Sequence, residues 1–187
     1  MAKLSAFLFL TLNGFFEGPG HDISWHAHEA EAEEYSNESL AAGHALLLGR
    51  LTYELMAAWW PTAAAREAYP VTAPGMNAAE KFVFSRTLQR PEWNNTRLLK
   101  GDLREEAVRL KETSRTDLTI LGSGSIVRQL TEYRLIDRYE FLIDPIALGD
   151  GTPVFKGLSR SVALRLASAK PFKNGSILVT YQPAPQG

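Results

Sequence analysis

The stretch "HALLLGRLTYELMAAWW", His44 to Trp60, decides how the remainder of the chain is read, because a short apolar strand runs through a glycine directly into a helix. "HALLLG" has the composition of a buried strand, while Leu51, Leu55 and Ala58 recur at helical spacing and Pro61 marks the helix end. A glycine at the strand exit, Gly49, permits a tight turn and close backbone approach. The helix that follows offers unpaired N–H groups and the positive end of its dipole to an anion. Arg50 adds a bidentate donor and Thr52 a hydroxyl. The plainer alternative is an arginine that pairs with a local glutamate and a threonine that caps the helix.

The same anatomy recurs at "LTILGSGSIV", where a strand ends in Gly122-Ser123-Gly124-Ser125 and a helix begins. Neither a P-loop nor the full dinucleotide fingerprint is present, since the later glycine and the Gly-Lys pair are missing. Taken alone, this is also an ordinary Gly/Ser turn. Two such junctions in one short chain reinforce each other and point to a pyrophosphate held between two helix N-termini. At "FVFSR", Ser85 and Arg86 leave a strand together. A hydroxyl beside a guanidinium suits a phosphate monoester such as the 2′-phosphate that separates NADPH from NADH, although an exposed cation at a strand end is common.

Outward from these junctions, Lys3–Leu12 is a nearly continuous apolar run, as expected of a strand covered on both faces. "HAHEAEAEEYSNESLAAG" reads as a helix, and Pro61 to Glu80, with Pro70, Pro74 and Gly75, as a long loop. "TRLLK" is a strand, "DLREEAVRLKETS" an amphipathic helix capped by Asp102, and "RYEFLIDPIALGDGTPVF" a strand and loop. The tail "VALRLASAKPFKNGSILVTYQP" is a hairpin turning at Asn174-Gly175. Strands alternating with helices predict an α/β fold: a mixed, mostly parallel sheet flanked by helices, with an antiparallel hairpin at one edge.

With 187 residues and 45 % of them hydrophobic, the chain is long enough for one buried core, and a single domain over 1–187 is expected. A net charge of −1 without any Lys/Arg-rich run leaves no electrostatic footprint for nucleic acid or an anionic membrane. No cysteine is present, which excludes disulfides and a thiolate nucleophile and fits a reducing compartment. The N-terminal apolar run ends in Asn13-Gly14 and suits a first strand better than a signal peptide, so a soluble cytoplasmic protein is the default. His21, His26 and His28 lack the His-x-x-x-His spacing and third ligand of a catalytic zinc site, so no metal is expected.

In order along the chain, "FLFLTLNGFFEGPGHDISWH", "ALLLGRLTYE", "FVFSR", "LTILGSGSIVRQL" and "LIDRYEFLIDPIALGDGTPVF" together resemble the bacterial deaminase-reductase C-terminal domain family. These are dihydrofolate-reductase-like proteins related to the reductase domain of riboflavin biosynthesis. The resemblance implies a dihydrofolate-reductase-like fold, NADPH as cofactor, a small-molecule substrate and a homodimer. It gives Gly49, Arg50 and Thr52 to the adenosine-side phosphate, Ser85 and Arg86 to the 2′-phosphate, and Gly122, Gly124, Ser125 and Ile126 to the pyrophosphate. Relatives commonly carry Asp-Gly where this chain has Asn13-Gly14. The activity it implies is hydride transfer to a small nitrogen heterocycle, with a ribosylamino-pyrimidine first and a pterin or dihydrofolate next. A non-catalytic NADP(H)-binding sensor or resistance module is the alternative of another class.

Reduction of C=N also needs a proton donor. On the acidic helix His28, Glu31 and Tyr35 share a face at i, i+3 and i+7, which singles out Glu31, against the alternative of a wholly solvated acidic face. Trp25 could stack on a flat heterocycle or serve the core. The "GDGTP" loop with Asp150, and Asp144 before it, could close over a ligand or be plain turn chemistry. The apolar hairpin is the expected dimer surface, because its edge strand would otherwise expose unpaired backbone groups.

Overall fold

The computed structural model describes residues 1–27 and 30–185. The described residues form ten strands: β1 (Leu4–Thr11), β2 (Phe15–Glu17), β3 (Ala45–Gly49), β4 (Lys81–Phe84), β5 (Thr96–Leu99), β6 (Leu118–Leu121), β7 (Arg138–Asp144), β8 (Thr152–Pro153), β9 (Leu164–Pro171) and β10 (Ile177–Pro183). The α-helices are α1 (Ala30–Ala41), α2 (Arg50–Trp59), α3 (Ala63–Ala68), α4 (Thr72–Ala78), α5 (Leu103–Thr113) and α6 (Gly124–Glu132). Eight strands form one sheet in the order β5-β4-β3-β6-β1-β7-β10-β9. The first six run parallel, and β10 is antiparallel to both β7 and β9. The mixed α/β sheet with its closing hairpin is therefore the one the sequence predicts.

Both faces of the sheet are covered, which is why β1 and β3 carry unbroken apolar runs rather than alternation. Leu47, Ala6, Leu8 and Ile120 pack with Ala107 and Leu110 of α5 and Ile126, Val127 and Leu130 of α6. On the opposite face Leu46 and Leu48 meet Tyr53 of α2 and Met76 of α4, and Phe7 and Leu142 meet Ala32 of α1. Asp102 caps α5 as expected, accepting from the N–H groups of Arg104 and Glu105 at 2.9 and 3.1 Å.

One expectation fails: Pro61–Glu80 is not a loop but holds α3 and α4. Thr62 starts α3 by accepting from Ala65 N–H at 3.0 Å, and Pro74 is tolerated because it is the third residue of α4, where the missing N–H has no intrahelical partner. The far end of α4 is closed by Lys81, a fully buried side chain whose ammonium donates to the carbonyls of Met76, Asn77 and Ala79.

After β1 the chain turns at Asn13-Gly14, with Gly14 at φ 82°. Asn13 Nδ2 donates to Leu148 O at 2.7 Å while Asn13 Oδ1 accepts from Leu148 N–H at 3.2 Å. An ionised aspartate could accept but not donate here. This bridge ties the turn to the 145–151 loop, and β2 and β8 then pair as a small separate sheet.

Candidate functional site

In an open α/β sheet, ligands bind beyond the carboxyl ends of the strands. Here β4, β3 and β6 are adjacent, so the three junctions read from the sequence emerge side by side. Between the starts of α2 and α6 lies a cleft of about 390 Å³. Gly49, Arg50, Leu51 and Thr52 line one wall, Ser123, Gly124 and Ser125 a second, and Phe16, Glu17, His21 and Thr152–Val154 form the roof, with Arg128 and Lys156 at the side.

Ser123 joins the two helix starts. Its buried hydroxyl accepts from Gly49 N–H at 2.8 Å and donates to Leu121 O at 3.1 Å. Gly122 has φ 69°, and a Cβ there would meet Thr52 Cγ2 at 3.1 Å. A Cβ on Gly124 would come within 2.5 Å of the Phe16 ring, so only glycine lets the roof close onto the first turn of α6. Gly49 has no side chain with which to cap α2, that of Ser123 makes no capping bond to α6, and Thr52, inside the first turn of α2, is no cap either.

Of the nine residues read as nucleotide contacts, Gly49, Arg50, Thr52, Gly124 and Ser125 line the cleft. Gly122 sits behind it as the turn. The Ile126 side chain is core and its N–H already donates to Ser123 O at 3.0 Å. Ser85 and Arg86 lie outside the cleft just beyond the end of β4, whose last residue Phe84 is in register with Gly49, the residue before Arg50. Ser85 Oγ accepts from Leu88 N–H at 2.9 Å, and Arg86 is exposed. Arg50 forms the ion pair with Glu54 that the plainer reading anticipated, at 2.9 Å with both side chains 42 % exposed. Such a pair is worth about 0–1 kcal/mol, which a phosphate can displace.

Glu31 and Trp25 lie elsewhere. Glu31 Oε2 accepts from Lys173 N–H in the hairpin turn at 2.8 Å, and Trp25 is half-buried with its indole donating to Asp22 O at 3.1 Å. Neither lines the cleft. His28, the first residue of the face that singled out Glu31, lies outside the described residues.

Sequence reasoning passed over Ser123 within its own motif, and it missed Phe16, Glu17, His21, Arg128 and Lys156, which reach the cleft from distant segments. It also missed a buried network at the carboxyl ends of β1 and β7. His26 is bonded through Nδ1 to Asp144 Oδ2 at 2.7 Å, Ser176 donates to Asp144 Oδ1 at 2.8 Å, and Phe9 stacks on the imidazole at 3.6 Å. Nearby, Tyr35 donates to Glu140, which Arg138 meets at 2.7 Å. Burial first, then the Glu140 carboxylate, pushes the Tyr35 phenol above its ordinary range, so it remains a donor.

A reduced nicotinamide dinucleotide can be tested against this lining by its chemistry. Arg50, Arg128, Lys156 and His21 bring cationic or protonatable groups, and Thr52, Ser123, Ser125 and Thr152 bring hydroxyls, against a single carboxylate, that of Glu17, among the described residues. That donor set, at two helix N-termini, suits a pyrophosphate.

The sheet order and its carboxyl-edge cleft are those of an α/β domain with its ligand site beyond the strand ends. The chain belongs to the RibD C-terminal domain family, whose sequence model matches residues 2–178. The uncharacterized protein YyaP of Bacillus subtilis strain 168 is 23 % identical over 176 residues, covering 93 % of this chain and 91 % of YyaP. A pyrimidine reductase-like protein of Corynebacterium diphtheriae has the same fold, with a TM-score of 0.68 at 14 % identity over 99 % of this chain and 93 % of its own. RibD of Acinetobacter baumannii superposes with a TM-score of 0.74 at 11 % identity over 99 % of this chain, which spans 59 % of that RibD. Among the described residues no helix is long and apolar enough to cross a membrane.

Proposed function

We propose that the protein is an NADPH-dependent reductase of a ribosylamino-pyrimidine or a related small nitrogen heterocycle. The observation that carries this reading is the Ser123 hydroxyl bridge, which fixes two glycine-led helix starts on one cleft rimmed by Arg50, Arg128 and Lys156. Bound NADPH supplies the hydride. The chain's own part is to bind and orient: Gly124, Ser125 and Thr52 hold the pyrophosphate, and Ser85 and Arg86, which follow the strand paired with β3, select the 2′-phosphate. The β2–β8 roof limits water access over the first turn of α6. Family membership and the named activities of the structural relatives support the pyrimidine class over a pterin. The mostly exposed edge strand β9 is the surface proposed for a second copy, and sedimentation at micromolar concentration tests it.

The test is titration of the wild type, Arg50→Ala and Arg86→Ala with NADPH and with NADH. The wild type is expected to prefer NADPH and Arg86→Ala to lose about tenfold of that preference, the value of one charge-assisted phosphate contact. If neither nucleotide binds, the reading fails.

A further inference from the structure

Among the described residues Glu17 is the one carboxylate lining a cleft whose other polar side chains carry hydroxyls or nitrogen groups, and three features hold it there. Its Oε2 meets His21 Nδ1 at 2.8 Å, with only 17 % of the Glu17 side chain exposed. The return that lets His21 reach back four residues depends on Gly20 and His21, both left-handed at φ 68° and 65°. That conformation is disfavoured for a residue with a side chain such as His21, and the surrounding turn sustains it through Gly18 N–H donating to Asp22 O at 2.7 Å. The third feature is Gly151 of the "GDGTP" loop at φ 148°, where a Cβ would lie 2.3 Å from Glu17 O. Only glycine lets β8 seat Glu17 so closely.

A fixed carboxylate repels phosphate, so in a phosphate cleft it belongs where the ligand presents neutral donors. The first such donors beside a dinucleotide pyrophosphate are ribose hydroxyls, and a carboxylate is the acceptor suited to them. Topology selects which ribose. The Ser85–Arg86 junction lies on the β4 side of Gly49, whereas β2 follows directly from β1 on the opposite side of β6. On the reading proposed above, on which this step rests, we infer that Glu17, oriented by His21, accepts the ribose hydroxyls of the nicotinamide half of NADPH. Glu17 is thus a binding residue, and Gly151 and His21 are positioning residues.

Calorimetric titration of the wild type, Glu17→Ala and Glu17→Gln with NADPH and with adenosine 2′,5′-bisphosphate tests this, because the second ligand lacks the nicotinamide ribose. Glu17→Ala is expected to bind NADPH about tenfold or more weakly, the worth of one charged acceptor, with its affinity for the bisphosphate unchanged. Glu17→Gln, which preserves the shape of the turn, is expected to lose NADPH affinity in the same sense. Equal or tighter NADPH binding by both variants would make Glu17 only a counter-charge for His21, and equal weakening toward both ligands would make it only structural. Either result overturns the inference while the cofactor reading stands. A wild type that binds neither ligand removes the cofactor reading and the inference together.

Discussion

Over β4, β3 and β6 the carboxyl edge of the sheet is built from glycine turns, helix starts and surface cations, whereas over β1, β7 and β10 it is built from buried side chains bonded to one another. The first half presents backbone N–H groups and hydroxyls to a cleft. The second turns inward: His26 through Nδ1 and Ser176 through its hydroxyl both bond the buried Asp144 carboxylate. An anion site can be made from local backbone geometry, while a packed polar network requires partners brought from across the chain.

If the network is structural and the cleft binds nucleotide, breaking each half has a different signature. The largest effect is expected from Asp144→Ala, which leaves the His26 and Ser176 groups buried without their acceptor. Urea unfolding should show a loss of about 3 kcal/mol, with NADPH affinity within about twofold of wild type. A large loss of NADPH affinity at full stability would instead make the two halves one site.

Gly124→Ala should come next. Its new methyl group meets the Phe16 ring and must push it, costing about 1–3 kcal/mol of stability. Unlike Asp144→Ala, it should also weaken NADPH binding, because the displaced ring lies at the cleft wall.

Lys81 tests the cofactor half at its base. Burial pulls its ammonium down to about 8 from 10.5, while three carbonyls and the Trp93 ring, 4.4 Å from Nζ, offset part of that cost. Below pH 8 both states hold the proton. Between 8 and 10.5 the unfolded chain binds more, so the wild type should gain roughly 2 kcal/mol over this window relative to Lys81→Met, measured by chemical unfolding across pH.

The smallest effect is expected from Glu31→Gln. Only one hydrogen bond to Lys173 N–H is weakened, so the loss should stay near 0.5 kcal/mol, with nucleotide affinity unchanged. A collapse of turnover with normal binding would restore Glu31 as the proton donor.

This contrast also explains what the sequence could reveal. Gly49-Arg50 and Gly122–Ser125 were legible because strand, turn and helix start are contiguous. Asp102 was legible for the same reason, as a cap bonds only two and three residues ahead. His26 and Asp144 are 118 residues apart and Tyr35 and Glu140 are 105 apart, so no local pattern joins them. Glu31 shows the limit of a helical-face argument: its carboxylate is taken by a backbone N–H 142 residues away. The Pro61–Glu80 misreading came from weighting Pro70, Pro74 and Gly75 as breakers, when Thr62 and Lys81 supply the caps that let two short helices form around them.

The most direct test of the central claim is amide NMR of the ¹⁵N-labelled protein titrated with NADPH. The account predicts that the largest shifts fall on the backbone N–H groups of Gly49–Thr52 and Ser123–Ile126, with smaller ones at Phe16 and Glu17. Saturable binding that leaves those amides unmoved would contradict it, because the nucleotide would then sit away from the two helix starts.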